Sequence, residues 1–292
     1  MKVLALALTV ALSLTAQRPF NTPLAADHPV PKEALTNREG YSPIYEVLKR
    51  DRTAVTDDQL KQLAEYQLEN LWGSMGEYRD TNYVTGFQAT QPGKRLVGRA
   101  LTMRFLPSRP DLDKAARTLA DESNRDRRFY IRAGEEARKN DVIVVDLGGV
   151  EGANFFGDIT ALGIAMRDAA GVLIDGGTRD LAELRGPDFS NFPVFARFFD
   201  IQPATWLGTD WNVPIRVGSA TVVPGDIVVA DEGGVLFIPP QLVAQVLERS
   251  AERRRRENFE RGVVRSKKYI IRDVYPLHPK LEEQLKKQNE KK

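Results

Sequence analysis

Two short runs of mostly β-branched residues, 142–145 (Val-Ile-Val-Val) and 172–174 (Val-Leu-Ile), are each followed by an aspartate and a pair of glycines. Between them the apolar residues Ile159, Leu162 and Met166 recur at the spacing of one helix face, which predicts a helix burying that face. Strand, Gly-rich loop, helix, strand and Gly-rich loop make a βαβ crossover. Such units gather polar groups at the carboxyl ends of their strands, where ligands bind. The polar residues collected there are Asp158, Arg179 and Asp180.

The rest of the pattern is arranged around this unit. Residues 56–72 carry Leu60, Leu63, Leu68 and Leu71 behind an acidic start, predicting a helix with Thr56 as its N-cap. Residues 86–105 read as two strands joined by a turn at 91–94, and the charged stretch 111–139 as helical. Past the crossover, 193–197 is a short strand and 200–211 a loop holding Trp206 and Trp211. Residues 213–239 are β-rich runs broken at Gly218, Pro224-Gly225 and Gly233-Gly234, an antiparallel layer closing on the βαβ unit. A helix over 241–262 contains four consecutive arginines, 253–256, read as a solvated face. Residues 17–40 hold several prolines without periodicity and form a linker. One domain from 41 to 262 and a charged tail over 263–292 complete the chain.

Composition narrows the chemistry. Among 292 residues there is no cysteine, and the only histidines are His28 and His278. Thiolate catalysis, Cys-ligated zinc and a histidine-based triad in the core are excluded. Acid–base work falls to carboxylates, Arg, Lys, Tyr or bound water. A net charge of +2 gives no reason to expect nucleic acid. Lys2, the apolar run 3–12 and the small Ala16 follow the order of a secretory signal peptide, cleaved after Ala16 or at the latest after Ala26. The run is shorter than the ~20 residues of a membrane span. The expected location is periplasmic or secreted, with no membrane attachment after cleavage.

Asp158 either caps the helix it opens or points into the cleft, leaving the amides of Ile159 and Thr160 as donors for an anion such as a carboxylate. Arg179 and Asp180 form either an internal ion pair or a working pair. In the second case Arg suits a 2-oxo or enolate oxygen and Asp a hard divalent cation. Turn chemistry accounts for Asp146 and Asp175. The loop Gly148-Gly149-Val150-Glu151-Gly152 lacks the G-x-G-x-x-G order of a dinucleotide site. No lysine falls in 142–175 or 213–239, which removes a Schiff base and leaves carbonyl chemistry to a metal.

Gly157-Asp158 followed by Arg179-Asp180 resembles the signature of the class II pyruvate aldolases, the 4-hydroxy-4-methyl-2-oxoglutarate / 4-carboxy-4-hydroxy-2-oxoadipate aldolases. The same fold includes the regulator of ribonuclease activity A (RraA-like) proteins. Residues 91–103, 141–149 and 222–239 are similar to flanking blocks of that family. The resemblance implies an α/β fold, a swivelling β/β/α domain with a central βαβ unit and a flanking β layer. It implies a homotrimer or dimer of trimers with sites between subunits. By resemblance Asp180 binds Mg²⁺ or Mn²⁺, Asp158 holds a water of the metal, and Arg179 contacts the C2 oxygen of a small 2-oxo acid. The amides of Ile159 and Thr160, after Gly157, take the substrate carboxylate. A Glu from the next subunit's C-terminal helix completes the site, Glu257 here with Glu252 in reserve. The implied activity is metal-dependent cleavage of a C–C bond beside a 2-oxo acid, by retro-aldol reaction or oxaloacetate decarboxylation. The alternative is a non-catalytic binding protein on the same fold.

Overall fold

A computed structural model describes residues 53–290. The expected signal peptide, the linker and the first residues of the expected domain lie outside the described residues. Helix α1 (Asp57–Ala64) starts in a full capping box: the Thr56 hydroxyl accepts from Gln59 N at 3.2 Å, and the Gln59 side chain accepts from Thr56 N at 2.9 Å. This satisfies two first-turn donors reciprocally. The helix ends at Glu65, and a second one, α2 (Leu68–Ser74), carries Leu68 and Leu71. All four leucines still enter one cluster.

Strands β1 (Tyr83–Val84), β2 (Gln88–Ala89) and β3 (Leu96–Leu106) come next. The turn at 91–94 is present, closed by Lys94 N donating to Gln91 O at 3.2 Å. Yet β2 and β3 do not pair with each other. Helices α3 (Pro110–Glu122) and α4 (Phe129–Glu136) split the expected charged helical stretch, with Asn124 in a left-handed conformation between them. The crossover then appears as β4 (Asp141–Asp146), α5 (Asp158–Ala165) and β5 (Gly171–Thr178), with β4 and β5 parallel and in register from Val142–Gly171 to Asp146–Asp175. Behind it lie the single-turn α6 (Leu181–Leu184) and β6 (Val194–Phe199), which is parallel to β5.

The remaining strands are β7 (Leu207–Trp211), β8 (Ile215–Val217), β9 (Ala220–Val222), β10 (Ile227–Asp231) and β11 (Gly234–Ile238). The main sheet has the order β1-β11-β10-β3-β4-β5-β6-β2, with β7 also pairing with β3. β10 and β11 were expected in a separate layer; they extend the main sheet through antiparallel pairing of β10 with β3. Only the β8–β9 hairpin stands apart. β7 occupies part of the expected loop. Trp211 faces Met103, meets Phe129 edge-on at 5.3 Å between centroids, and lies under the Arg132 guanidinium at 4.0 Å.

Helix α7 (Val243–Arg265) packs with α1 and α2 over β10 and β11. Its arginine run is solvent-facing but not idle. Arg254 lies over Tyr66 at 4.3 Å, and Arg256 pairs with Glu260 at 3.1 Å and Glu282 at 2.9 Å. The expected tail is folded: α8 (Ile271–Val274) and α9 (Pro279–Asn289) bury Val274, Leu277 and Leu281 against Phe259 and Val263. Leu281 and Leu285, one helical turn apart, supply the apolar stripe that a charge count hides.

The buried face of α5 is rotated from expectation: of the three expected residues only Leu162 packs against the core. Ala161 and Ile164 are its buried residues, whereas Ile159 is 78% and Met166 70% exposed. Packing against α4 decides this, with Gly134 and Gly163 at the contact, where a Cβ on Gly134 would sit in ordinary contact 3.6 Å from the Gly163 backbone. A helix with apolar residues all round buries whichever side its neighbours cover.

Candidate active site

Two sets of aspartates stand at the carboxyl edge of the sheet. Asp146 and Asp175 are both buried. Asp146 accepts from Gly148 N at 3.1 Å and Arg216 N at 3.3 Å. Asp175 accepts from Arg197 Nε at 2.7 Å and Gly218 N at 2.8 Å. Together they fasten the β8–β9 hairpin over the crossover, a tertiary role beyond the turn chemistry expected of them. Burial pushes the Asp146 carboxyl above its ordinary pKa, and the neighbouring Asp175 charge pushes the same way. The Gly148-Gly149 amides are engaged too, Gly149 N with Asp175 O at 2.8 Å, so they are not free to cradle a phosphate.

The second set faces outward. Asn154 bridges Gly177, Phe155 N donates to Gly177 O at 3.1 Å, and Arg179 N donates to Phe156 O at 3.4 Å. These bonds lay residues 154–157 alongside the end of β5. The N-cap of α5 is Gly157, and Asp158 is the first helical residue, so the capping reading of Asp158 does not hold. Asp180 adopts a left-handed conformation (φ 58°, ψ 41°) that turns its carboxylate back. Its Oδ2 accepts from Asp158 N at 3.2 Å and lies 3.3 Å from Arg179 Nε.

Gly157 makes this approach possible. A Cβ there would overlap Asp180 Oδ2 and come to 2.7 Å from Arg179 Nε. The expected ion pair of Arg179 and Asp180 therefore exists, but it is open: the side chains are 40% and 32% exposed. Asp180 Oδ1 and the Asp158 carboxylate have no hydrogen-bond partner among the described residues, nor do the amides of Ile159 and Thr160. The Thr160 hydroxyl donates to Gly157 O at 3.0 Å.

The structure thus brings Gly157, Asp158, Ile159, Thr160, Arg179 and Asp180 together. It does not bring Glu257 or Glu252 to them. Glu257 pairs with Arg261 at 2.9 Å on α7 and lines a cleft with Gln67, Glu69 and Val274, none of them a residue of this site. β10 and β5 are separated by β3 and β4, a lateral offset of about 14 Å at ~4.8 Å per strand.

The sequence reading missed the 200–202 turn. Asp200 N donates to Thr178 O at 3.0 Å, its carboxylate accepts from Ile201 N at 2.6 Å, and Gln202 O accepts from Asn154 Nδ2 at 2.8 Å. An aspartate opening a loop at a strand's end was its signal.

Two carboxylates with open oxygens suit a hard divalent cation, which often takes only one or two carboxylates and leaves places for substrate and water. Among the described residues no group of three or more His, Cys, Asp or Glu could hold a metal ion. The free amides at the start of α5 suit an anion. No helix of the described residues is long and apolar enough to cross a membrane.

A family model described as RraA-like, Aldolase/RraA, matches residues 53–237. The chain belongs to the RraA-like family. A protein of Halalkalibacterium halodurans named "Putative 4-hydroxy-4-methyl-2-oxoglutarate aldolase" is 31% identical over 157 residues, covering 50% of this chain and 71% of that protein. Among solved structures, a protein from Pseudomonas syringae pv. tomato superposes with a TM-score of 0.64 at 20% identity, covering 78% of this chain and 98% of that one. Streptomyces coelicolor RraAS2, described as an unusual member of the RNase ES inhibitor RraA protein family, superposes at 0.60 and 22% identity, covering 73% and 98%. These two likenesses establish the mixed α/β fold of the RraA-like family. The family holds both aldolases and RraA inhibitors.

Proposed function

We propose that this RraA-like protein is a divalent-metal-dependent lyase that cleaves a C–C bond next to a 2-oxo acid, releasing pyruvate. The observation that carries the reading is the approach of Arg179-Asp180 to the start of α5, possible only because residue 157 has no side chain. Asp180 would hold Mg²⁺ or Mn²⁺, and Asp158 a water of that ion. When bound, such an ion supplies Lewis-acid polarisation of the C2 carbonyl. The protein's own groups do the rest. The amides of Ile159 and Thr160 bind and orient the substrate carboxylate. Arg179 donates to the C2 oxygen, and that contact strengthens as negative charge gathers there. Glu257, remote from Arg179 within one chain, joins the site only from a second copy. The exposed Met166 at the far end of α5 gives that copy apolar surface to cover in a homotrimer or larger ring.

The test is pyruvate release by the full chain from oxaloacetate and from 4-hydroxy-2-oxo acids, with Mg²⁺ or Mn²⁺ and after chelation. Release that stops on chelation and returns with metal supports the reading. Turnover that survives exhaustive chelation overturns it, as does the absence of turnover with every substrate and metal. One observation favours a second reading, a non-catalytic binding protein: Asp180 Oδ2 is already engaged by Arg179 and the Asp158 amide. Such a protein would bind no metal and release no pyruvate.

A further inference from the structure

The rim of the cleft is apolar where its floor is charged. Ile201 is 93% exposed, the most exposed large hydrophobic residue of the described chain, and Ile159 is 78% exposed. Hydrogen bonds fix where Ile201 stands. Its predecessor Asp200 donates to Thr178, which precedes Arg179, and its successor Gln202 accepts from Asn154. Sheet order puts the 200–202 turn on the β6 side of β5, while Asp158 and Ile159 follow the stretch that pairs on the β4 side. The two isoleucines therefore flank the Arg179-Asp180 floor.

The charge around that floor points the same way. Between Glu151 and Asp200 there are eight carboxylates and four guanidiniums, and no lysine lies between Lys139 and Lys267. Three of those arginines are committed elsewhere. Arg167 donates to Ala137 O at 3.2 Å, Arg185 to Thr90 O at 3.1 Å, and Arg197 holds Asp175. Arg179 is the one cation of this segment at the cleft, and a 2-oxo acid head group occupies it. With Asp158 and Asp180 serving the ion, a second carboxylate on the substrate's far end would meet Asp200 on the rim, with no further cation of the 151–200 segment to answer it. Placing like charges together disfavours binding, whereas an apolar end would cover two isoleucines now in water.

We propose that Ile201 and Ile159 form a specificity rim that selects 2-oxo acids with an uncharged apolar tail over those with a second carboxylate. This rests on the lyase reading for the head group but adds the tail. It sets the chain apart from a relative whose name specifies a 2-oxoglutarate derivative.

The experiment is isothermal titration of the full chain, in Mg²⁺, with pyruvate, 2-oxohexanoate and 2-oxoglutarate. 2-Oxohexanoate should bind tighter than 2-oxoglutarate by about tenfold or more, the scale of discrimination a few methylenes provide. Ile201→Lys, on an exposed turn, should keep the melting temperature and reverse the order. Binding of 2-oxoglutarate at least as tight as 2-oxohexanoate overturns the preference and leaves the lyase reading standing. An Ile201→Lys protein with the order unchanged overturns it too. If light scattering showed that this variant had lost an assembly state, Ile201 would belong to a contact between copies and the specificity rim would be overturned. If none of the three acids binds, pyruvate included, the lyase reading falls and the preference with it.

Discussion

The two aspartate sets at the sheet edge have similar sequence surroundings and opposite fates. Asp146 and Asp175 each precede a glycine pair at a strand end, and both are buried with their oxygens answered by backbone amides or Arg197. Asp158 and Asp180 sit 12 and 5 residues farther along, half-buried, with open oxygens. Both sets lie where ligands bind in folds of this kind. What separates them is the balance of hydrogen bonds: a satisfied carboxylate fastens structure, and an unsatisfied one is available for chemistry.

The sharpest way to break this contrast is Asp175→Ala. It leaves the Arg197 guanidinium without its carboxylate beside a buried strand and frees the hairpin at Gly218. Removing one partner of a buried pair costs about 3–5 kcal/mol. Denaturant melts should show a loss of that order; a loss under about 1 kcal/mol would mean that Asp175 does not fasten the fold.

Arg179→Lys is the counterpart in the open set. Lysine keeps the charge but loses the planar fork. If Arg179 stabilises developing charge, kcat for pyruvate release should fall about 10²–10³-fold while the melting temperature stays close to wild type. A variant that loses stability and keeps kcat would move Arg179 into the structural set. Gly157→Ala tests the cradle between them. Its methyl would force Asp180 and Arg179 aside, a strain of about 1–3 kcal/mol that should appear as weaker metal binding and slower turnover. Unchanged metal affinity in a calorimetric titration would count against the cradle.

The smallest effect belongs to Asp146. Its folded-state pKa is raised, so its contribution to stability is complete below the ordinary aspartate value, about 3.9, and is lost as pH rises through the folded value. Asparagine, neutral throughout, escapes that loss. Asp146→Asn gives up part of the acceptor capacity toward Gly148 and Arg216, worth about 1 kcal/mol, at acid pH. The difference in melting temperature should therefore shift toward the variant as pH rises from about 3.5 to neutrality. A pH-independent difference would show that Asp146 is not strained by burial.

Local pattern decided several things here without help. The β-branched runs of β4 and β5 and the Thr56 cap of α1 follow from side chains a few residues apart. So does the placement of Gly157-Asp158 and Arg179-Asp180 at the ends of one crossover, because a parallel βαβ unit has only one workable hand and brings its loops to one edge. The absence of cysteine, and of any histidine between residues 28 and 278, had already removed whole classes of chemistry.

Tertiary structure decided the rest, because the deciding interactions were non-local. α5 has apolar residues on both sides, and only its packing against α4 and the core of the sheet selects the side that is buried. β7 reads as loop until Met103 of β3 is opposite Trp211, and β10 joins the main sheet by pairing more than a hundred residues back. The tail folds because Phe259 and Val263 offer α9 a partner. Whether an aspartate is consumed or left open depends on Arg197, Gly218 and Arg216, residues that no spacing rule connects to β4 and β5. Sequence sets which groups stand at an edge, and packing sets which of them still have an oxygen to offer.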